Sequence, residues 1–472
     1  MVQARQDTQE KNSAQKLTRP KPKGKPRGKG RRSRKSKDPT KGLEVANPSA
    51  AAIDIGCREH WVAVPEGRDT QTVRYFGCCT EDLGALAQWL KKCKVDTVVM
   101  EATGSYWMVL FDLLERNKLR PVVVNPRYAK NMSGKKGDIP DCKWMQKLHT
   151  YGLFSNSFRP EESIRAMRTI MRRRESLVAS ASQCVQHMQK ALTEMNVQLA
   201  NVISDISGET GLRIIDAILE GERDPKTLAL MKNGRIQASV KVLARALHGH
   251  WKDEQLFVLG QARHAYIHHQ DQIEQCALQI EKLMQGMKSR KTEDQTEDLP
   301  PEEKAQTFDL SIELERIFGV DLTQLPAIGP ITAQTVLSEV GNDVSPWPTE
   351  NHFSSWLGLC PDHRITGGKI FSRSTRPVVN RVRNALRMAA YTLDHSHSAL
   401  GAKYRRLKRR LGAPKAIVAL ANHLAKMIYR MIKFGHDYVD VGMETYEAKF
   451  RAQHIKWLTK KANDLGLKLV VE

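Results

Sequence analysis

A single carboxylate set inside an apolar run, Ala51-Ala52-Ile53-Asp54-Ile55-Gly56, constrains this chain more than any other stretch. Such a run reads as a buried strand, and an ionised Asp there is costly unless a cation or a hydrogen-bond donor offsets it. Taken alone, Asp54 reads as a strand-end carboxylate, solvated or capping a turn; with partners it becomes a candidate metal ligand. An alternation of elements follows. Residues 51–57, 61–65 and 72–76 predict three strands, with Glu66-Gly67 as turn chemistry before the third. Leu83, Leu86, Ala87 and Leu90 recur at helical spacing over 80–92, with Thr80 as the expected N-cap. Residues 95–100 predict a fourth strand ending at Glu101, 105–117 a second helix and 120–124 a fifth strand.

Three early strands, then helix, strand, helix, strand is an order known from ribonuclease-H-like domains, so the expected class is α/β here and α for the remainder. Beyond it stands Gly137-Asp138-Ile139-Pro140-Asp141-Cys142. Proline is tolerated in a first helical turn, which puts Asp138 near a helix start with Asp141 on the same face. Each acid alone also suits a helix N-terminus electrostatically. In a ribonuclease-H-like topology Asp54, Glu101, Asp138 and Asp141 converge. Clustered carboxylates raise one another's pKa unless countercharge is supplied. Oxygen-only ligands suit Mg²⁺ or Mn²⁺ rather than zinc, and two such ions about 4 Å apart would serve in-line phosphoryl transfer.

Charge narrows the partners. The formal net charge is +23 over 472 residues, which points to a polyanion, and no apolar run approaches the roughly 18 residues of a membrane span. Nucleic acid is therefore favoured over a membrane. No secretory signal is visible at residues 1–10, so the cell interior is expected: cytoplasm, in association with the nucleoid. Residues 11–41 are rich in Lys, Arg, Pro and Gly, too poor in apolar side chains to fold, and suited to salt-dependent phosphate contacts. The 8 cysteines are scattered, with no disulfide or zinc spacing.

The middle of the chain is helical. Residues 162–202 carry a stripe of Ile164, Met167, Met171, Val178, Cys184, Val185, Met188, Leu192 and Met195, and 264–287 one of Ile267, Ile273, Cys276, Ile280, Leu283 and Met287. The two stripes fit either an antiparallel hairpin or a coiled-coil dimer arm. Arg172, Arg173 and Arg174 suit either a phosphate backbone or a solvated face. His268-His269 reads as a surface pair, and 291–304 as an acidic linker.

Further on, Leu325-Pro326-Ala327-Ile328-Gly329-Pro330 resembles a helix-hairpin-helix element, in which Gly329 lets the backbone approach a phosphate. Arg364-Ile365-Thr366-Gly367-Gly368-Lys369 and Phe371-Ser372-Arg373-Ser374-Thr375-Arg376 follow. Gly367 and Gly368 would admit an anion to backbone amides, with Lys369, Arg373 and Arg376 adding positive charge. Lys408, Arg409 and Arg410 are expected to face nucleic acid.

The four acids, followed by Leu325-Pro326-Ala327-Ile328-Gly329, Trp356-Leu357-Gly358-Leu359-Cys360-Pro361 and Thr366-Gly367-Gly368-Lys369, resemble the DEDD transposases of prokaryotic insertion sequences, relatives of the Piv DNA invertase. The similarity runs from about residue 51 to 438. Composition gives a disordered basic arm at 1–48, an addition to the family core, and the resemblance implies a RuvC-like catalytic domain at 49–160 and a helical dimerisation or coiled-coil region at 161–290. A linker at 291–310, a C-terminal transposase domain at 311–440 and a tail at 441–472 complete the expected order. In that family the acids hold magnesium while a small hydroxyl residue joins covalently to DNA. By motif position that residue is Thr366 where the family usually has Ser, with Ser372 and Ser374 as alternatives. The resemblance further implies as partners the DNA of element ends and target, a structured guide RNA, and a second copy or more in a homodimer or homotetramer. A RuvC-like nuclease such as a junction resolvase, and a decayed non-catalytic nucleic-acid-binding protein, are the rival readings.

Overall fold

The computed structural model describes residues 42–102, 104–125, 138–290, 308–372, 374–435 and 442–468, without the side chains of 138–140 and 364. Residues 1–41 of the expected basic arm, residues 291–307 of the expected linker and Arg373 lie outside the described residues, whereas the Ala46 and Asn47 N–H groups bond the Thr150 carbonyl at 3.0 and 2.9 Å. The chain divides into two compact units, one ending at Ser157 and the other beginning at Phe158.

The first unit is a mixed sheet with helices on both faces. Its strands are β1 (Ala50–Ile55), β2 (Glu59–Ala63), β3 (Val73–Gly77), β4 (Thr97–Glu101) and β5 (Arg120–Val124), in the order β3-β2-β1-β4-β5. β1 pairs antiparallel with β2, and β2 with β3, whereas β1–β4 and β4–β5 are parallel. Strand side chains alternate between faces, and the burial follows that alternation. Ala51, Ile53, Val98 and Met100 pack with Leu86, Leu90, Leu110 and Leu114 of α1 (Thr80–Lys92) and α2 (Trp107–Arg116). Ala52, Val99 and Val124 face the other way, onto Cys142 and Met145 of α3 (Asp138–Thr150). The N-cap of α1 lies one residue before the expected Thr80, which is itself the first helical residue. Cys79 occupies the cap position, and the Asp82 carboxylate accepts from its backbone N–H at 3.2 Å, a capping box built from the third helical residue.

Among its described residues the second unit is helical apart from one hairpin. Two helices of 33 residues, α4 (Glu162–Glu194) and α8 (Asp253–Gln285), pack along their length, each about 50 Å long. Ile164 and Met167 share a core with Ile280 and Met284, whereas Met188 and Leu192 share one with Leu259 and Ala262. The two helices are therefore antiparallel within one chain, the hairpin of the two arrangements the stripes allow. At the far end the second of these cores is closed by α5 (Glu209–Glu220), α6 (Pro225–Leu230) and α7 (Val240–Leu247). Two expected stripe residues fail: Val178 and Ile267 are exposed, and Leu177 takes the buried position. A 3.6-residue repeat drifts over nine turns, so a stripe drawn by spacing leaves the packed face partway along.

The near end of the hairpin joins the core of α9 (Leu310–Phe318), α10 (Pro330–Val340), α11 (Glu350–Trp356), α12 (Arg381–Thr392), α13 (Ala399–Leu411) and α14 (Ala413–Phe434). Arg172 is held here. Its guanidinium meets the Glu339 carboxylate through two hydrogen bonds of 2.9 and 3.1 Å, and Arg168 bonds the same residue. Arg172 remains exposed on the solvated side of its helix, with its guanidinium committed to the buried Glu339 carboxylate. His268 and His269 stand with ring centroids 6.0 Å apart. The expected tail contains a helix, α15 (Met443–Asp464).

Candidate active site

The register of the parallel pair β1–β4 sets the first group of residues. Ile53 lies opposite Met100, so the next position on each strand brings Asp54 beside Glu101, with the backbones about 4.8 Å apart. Both acids follow by two residues a side chain of the face covered by α3, namely Ala52 and Val99. They therefore share that face, at the carboxyl ends of the two strands.

Helix α3 runs back over β1. Gln146 Nε2 donates to the Ala50 carbonyl at 3.1 Å, and the Cys142 thiol donates to the carbonyls of Ala52 at 3.3 Å and Trp61 at 3.1 Å. Four helical residues and two strand residues each span about 6 Å. One further step of the same size takes the helix backbone from Cys142 to Asp138 and the strand from Ala52 to Asp54. The helix start thus lies over the strand end that carries Asp54 and Glu101, with half-buried Asp141 beside Cys142. Burial pushes the Cys142 thiol up to about 12, and the nearby Asp54 carboxylate acts in the same direction. Cys142 is a positioning residue that sequence reasoning passed over. Its signal was available, since it stands one helical turn beyond Asp138.

The arrangement is oxygen-only and carboxylate-rich, which fits a hard divalent cation better than a soft one. Among the described residues, no three His, Cys, Asp or Glu side chains form a group that could hold a metal ion; the Asp138 side chain is outside them. What the geometry establishes is the pairing of Asp54 with Glu101 and the helix start above them.

The hydroxyl loop belongs to the second unit. β6 (Arg364–Thr366) and β7 (Lys369–Ser372) form a two-stranded hairpin in which Thr366 pairs with Lys369. Gly367 and Gly368 are the whole turn, at φ of 55° and 75°, the double left-handed conformation of a tight hairpin that favours glycine. The turn by itself accounts for both glycines. Thr366 and Lys369 are exposed at the tip. Ser372 lies about 10 Å down the strand, at the base, where its hydroxyl meets that of Ser374 at 2.9 Å.

The base of the hairpin is tied down. Asp362 N–H donates to the Ser374 carbonyl at 2.8 Å, and Arg383 donates to the Val378 carbonyl at 2.9 Å and the Thr375 hydroxyl at 3.2 Å. Arg376 is turned onto the Ser355 carbonyl at 2.5 Å and hydroxyl at 3.1 Å, so this residue, expected at a nucleic-acid surface, holds two segments of the fold together. Arg383 escaped the sequence reading, because nothing local marks which arginine of a basic helix turns inward. Gly329 is the N-cap of α10, with Pro330 in the first turn and open space where a Cβ would stand. Lys408, expected to face nucleic acid, is paired with Asp394 at 2.5 Å.

No described helix is long and apolar enough to cross a membrane. The family model of DEDD transposases of the IS110 type matches residues 51–197, which take in Asp54, Glu101, Asp138 and Asp141. A second model, for transposases of the IS116/IS110/IS902 family, matches residues 321–405, which take in Gly329 and the hairpin of Thr366. No curated protein matches the chain. With two transposase models matching in order, one over the acidic sheet and one over the hydroxyl hairpin, the chain belongs to the IS110-type DEDD transposases of insertion sequences.

Proposed function

We propose that this protein cuts and rejoins DNA by metal-assisted phosphoryl transfer, with Asp54, Glu101, Asp138 and Asp141 as the acidic set and Thr366 as the nucleophile. The observation that carries the reading is the side-by-side placement of Asp54 and Glu101 beneath a helix start bearing two more acids. The strand order β3-β2-β1-β4-β5 supports a ribonuclease-H-like, RuvC-like character for this unit. Mg²⁺ or Mn²⁺ bound by the four carboxylates would neutralise their charge and act as Lewis acid toward the transferring phosphoryl group.

The chain's own residues supply the rest. The rigid two-residue turn presents the Thr366 hydroxyl outward beside the Lys369 ammonium, which draws a phosphodiester toward it. Attack forms a bond from Thr366 Oγ1 to phosphorus and breaks the bond to one sugar oxygen, which takes up the hydroxyl proton. The phosphodiester energy is kept in the protein–DNA link, and attack by the sugar hydroxyl of another strand end restores the threonine. A net charge of +23 supports the binding of DNA at element ends and target. That charge and the family resemblance support direction by a structured RNA. The family resemblance supports assembly as a homodimer or homotetramer.

The test is a suicide DNA substrate carrying a nick that prevents religation. A covalent adduct on wild type, lost in Thr366→Ala, supports transesterification. Cleavage with no adduct favours a nuclease using water, and Mn²⁺ binding unaffected by Asp54→Asn with Glu101→Gln would leave a nucleic-acid binder.

A further inference from the structure

Helix α15 carries no buried residue, yet it sets rings in an ordered row. Phe450 stacks on His454 with centroids 6.0 Å apart and planes 19° apart, and His454 stacks on Trp457 at 5.7 Å and 22°. Cations close both ends. The Arg406 guanidinium of α13 lies 3.7 Å over Phe450 and 5.2 Å from Tyr446, and the Lys461 ammonium lies 4.9 Å over Trp457.

Between α13 and α15 opens a cleft of about 510 Å³, lined by Arg406, Arg409, Arg410 and Arg451 together with Tyr446 and Phe450. Glu447 is the single carboxylate there, so the cleft is net positive. Arg406 Nη1 is buried and has no hydrogen-bond partner. A lone helix gains little from holding rings and guanidiniums in water, since exposed cation–ring pairs contribute about 0.5–1 kcal/mol. A second copy of this face would set guanidinium against guanidinium.

We propose that this face binds unpaired nucleotides of a single strand, with the cleft arginines on the phosphates and the ring row receiving the bases. Base faces are available for stacking on rings or guanidinium planes only outside a duplex. Trp457, about 10 Å along the helix from Phe450, is exposed with the Lys461 ammonium over its ring, a cover that a base displaces while the ammonium turns to a phosphate. Neither Asp54 nor Thr366 lines the cleft, so the proposal stands or falls independently of the phosphoryl-transfer reading.

The experiment uses the full chain with fluorescent 12-nucleotide oligo(dT), oligo(rU) and a DNA duplex of the same length. The variant Phe450→Ala with Trp457→Ala touches no core residue, and circular dichroism checks that its helix content is kept. It should lose about tenfold in affinity for each stacked base on a single strand while duplex affinity changes less than twofold. The two single strands distinguish an RNA from a DNA source by which loses more. Photo-crosslinking of 4-thiouracil-containing strands should label residues between Tyr446 and Trp457. An equal loss on single strand and duplex, no loss on either, or crosslinks confined to other segments would overturn the proposal.

Discussion

Asp54 and Glu101 stand side by side at the carboxyl ends of two parallel strands, one register step past the Ile53–Met100 pair. Two carboxylates in that relation repel each other unless countercharge is supplied, so the proposed reaction would couple metal binding to chemistry at this point. Asp54→Asn and Glu101→Gln each remove one charge without changing shape. Each should weaken Mn²⁺ binding at least tenfold and reduce strand transfer by about 10²-fold or more, with little change in thermal midpoint. Isothermal titration with Mn²⁺ beside a recombination assay checks this; unchanged affinity in both variants would remove the acids from the metal site.

Thr366 is exposed at the tip of its hairpin, whereas Ser372 and Ser374 bond to each other at its base. Thr366→Ala should abolish strand transfer and leave DNA affinity within about twofold, and Thr366→Ser should retain activity. Ser372→Ala and Ser374→Ala should each keep most of it. A variant lacking the Thr366 hydroxyl that still forms the covalent adduct would shift the role to one of the serines.

The turn offers a way to separate conformation from anion binding. Gly367→Asn keeps a residue that tolerates a left-handed φ and preserves the preferred Asn-Gly turn, whereas Gly367→Val forces a β-branched residue to 55° at a cost of about 1–2 kcal/mol. Near-normal strand transfer in Gly367→Asn with a large loss in Gly367→Val is the expected pair of results. Equal loss in both would assign the glycine a role in ligand approach.

Glu339 is 7 % exposed and holds Arg168 and Arg172. Glu339→Gln leaves two guanidiniums partly uncompensated and should destabilise the protein by about 3 kcal/mol. Arg172→Met should be milder, and it should leave the salt dependence of DNA binding unaltered. Urea unfolding and affinity measured at several salt concentrations check both; a shallower salt slope would return Arg172 to a phosphate contact.

His149 is buried and meets the Thr97 hydroxyl at 3.0 Å, and burial pulls its pKa from the ordinary 6.5 down to about 4. Below pH 6.5 the unfolded chain takes up a proton that the folded one refuses until about pH 4. The stability this group contributes is complete above 6.5 and is lost as the pH falls through that window, on the order of 3 kcal/mol in all. His423, also lowered to about 4 by burial, adds a loss of the same sign. Urea midpoints measured from pH 7 to 4.5 should fall, and fall less in His149→Gln; a flat profile would contradict the burial.

Much of the first unit was legible because strands and helices announce themselves locally. α1 and β5 lie where hydrophobic spacing predicts, the other strands begin and end within two residues of expectation, and Pro140 marks the start of α3. The acids were legible as types and in order, since a carboxylate in an apolar run is costly enough to be noticed. The partners of Arg172, Arg376 and Lys408, namely Glu339, Ser355 and Asp394, were hidden. A basic side chain has the same local signature whether it meets a phosphate, a carboxylate or a backbone carbonyl, and only the partner's position in space distinguishes them.

The sequence by itself determined which segments become strands and helices, where the chain's positive charge lies, and which residue types stand in the acidic set and the hydroxyl loop. Tertiary structure alone decided that Asp54 falls beside Glu101, that α3 runs back so that its start covers them, and that the long helices fold on each other. The physical reason is range. Spacing and capping act over a few residues, whereas register and helix direction are settled by packing between segments some 50 to 120 residues apart, about which a local pattern carries no information.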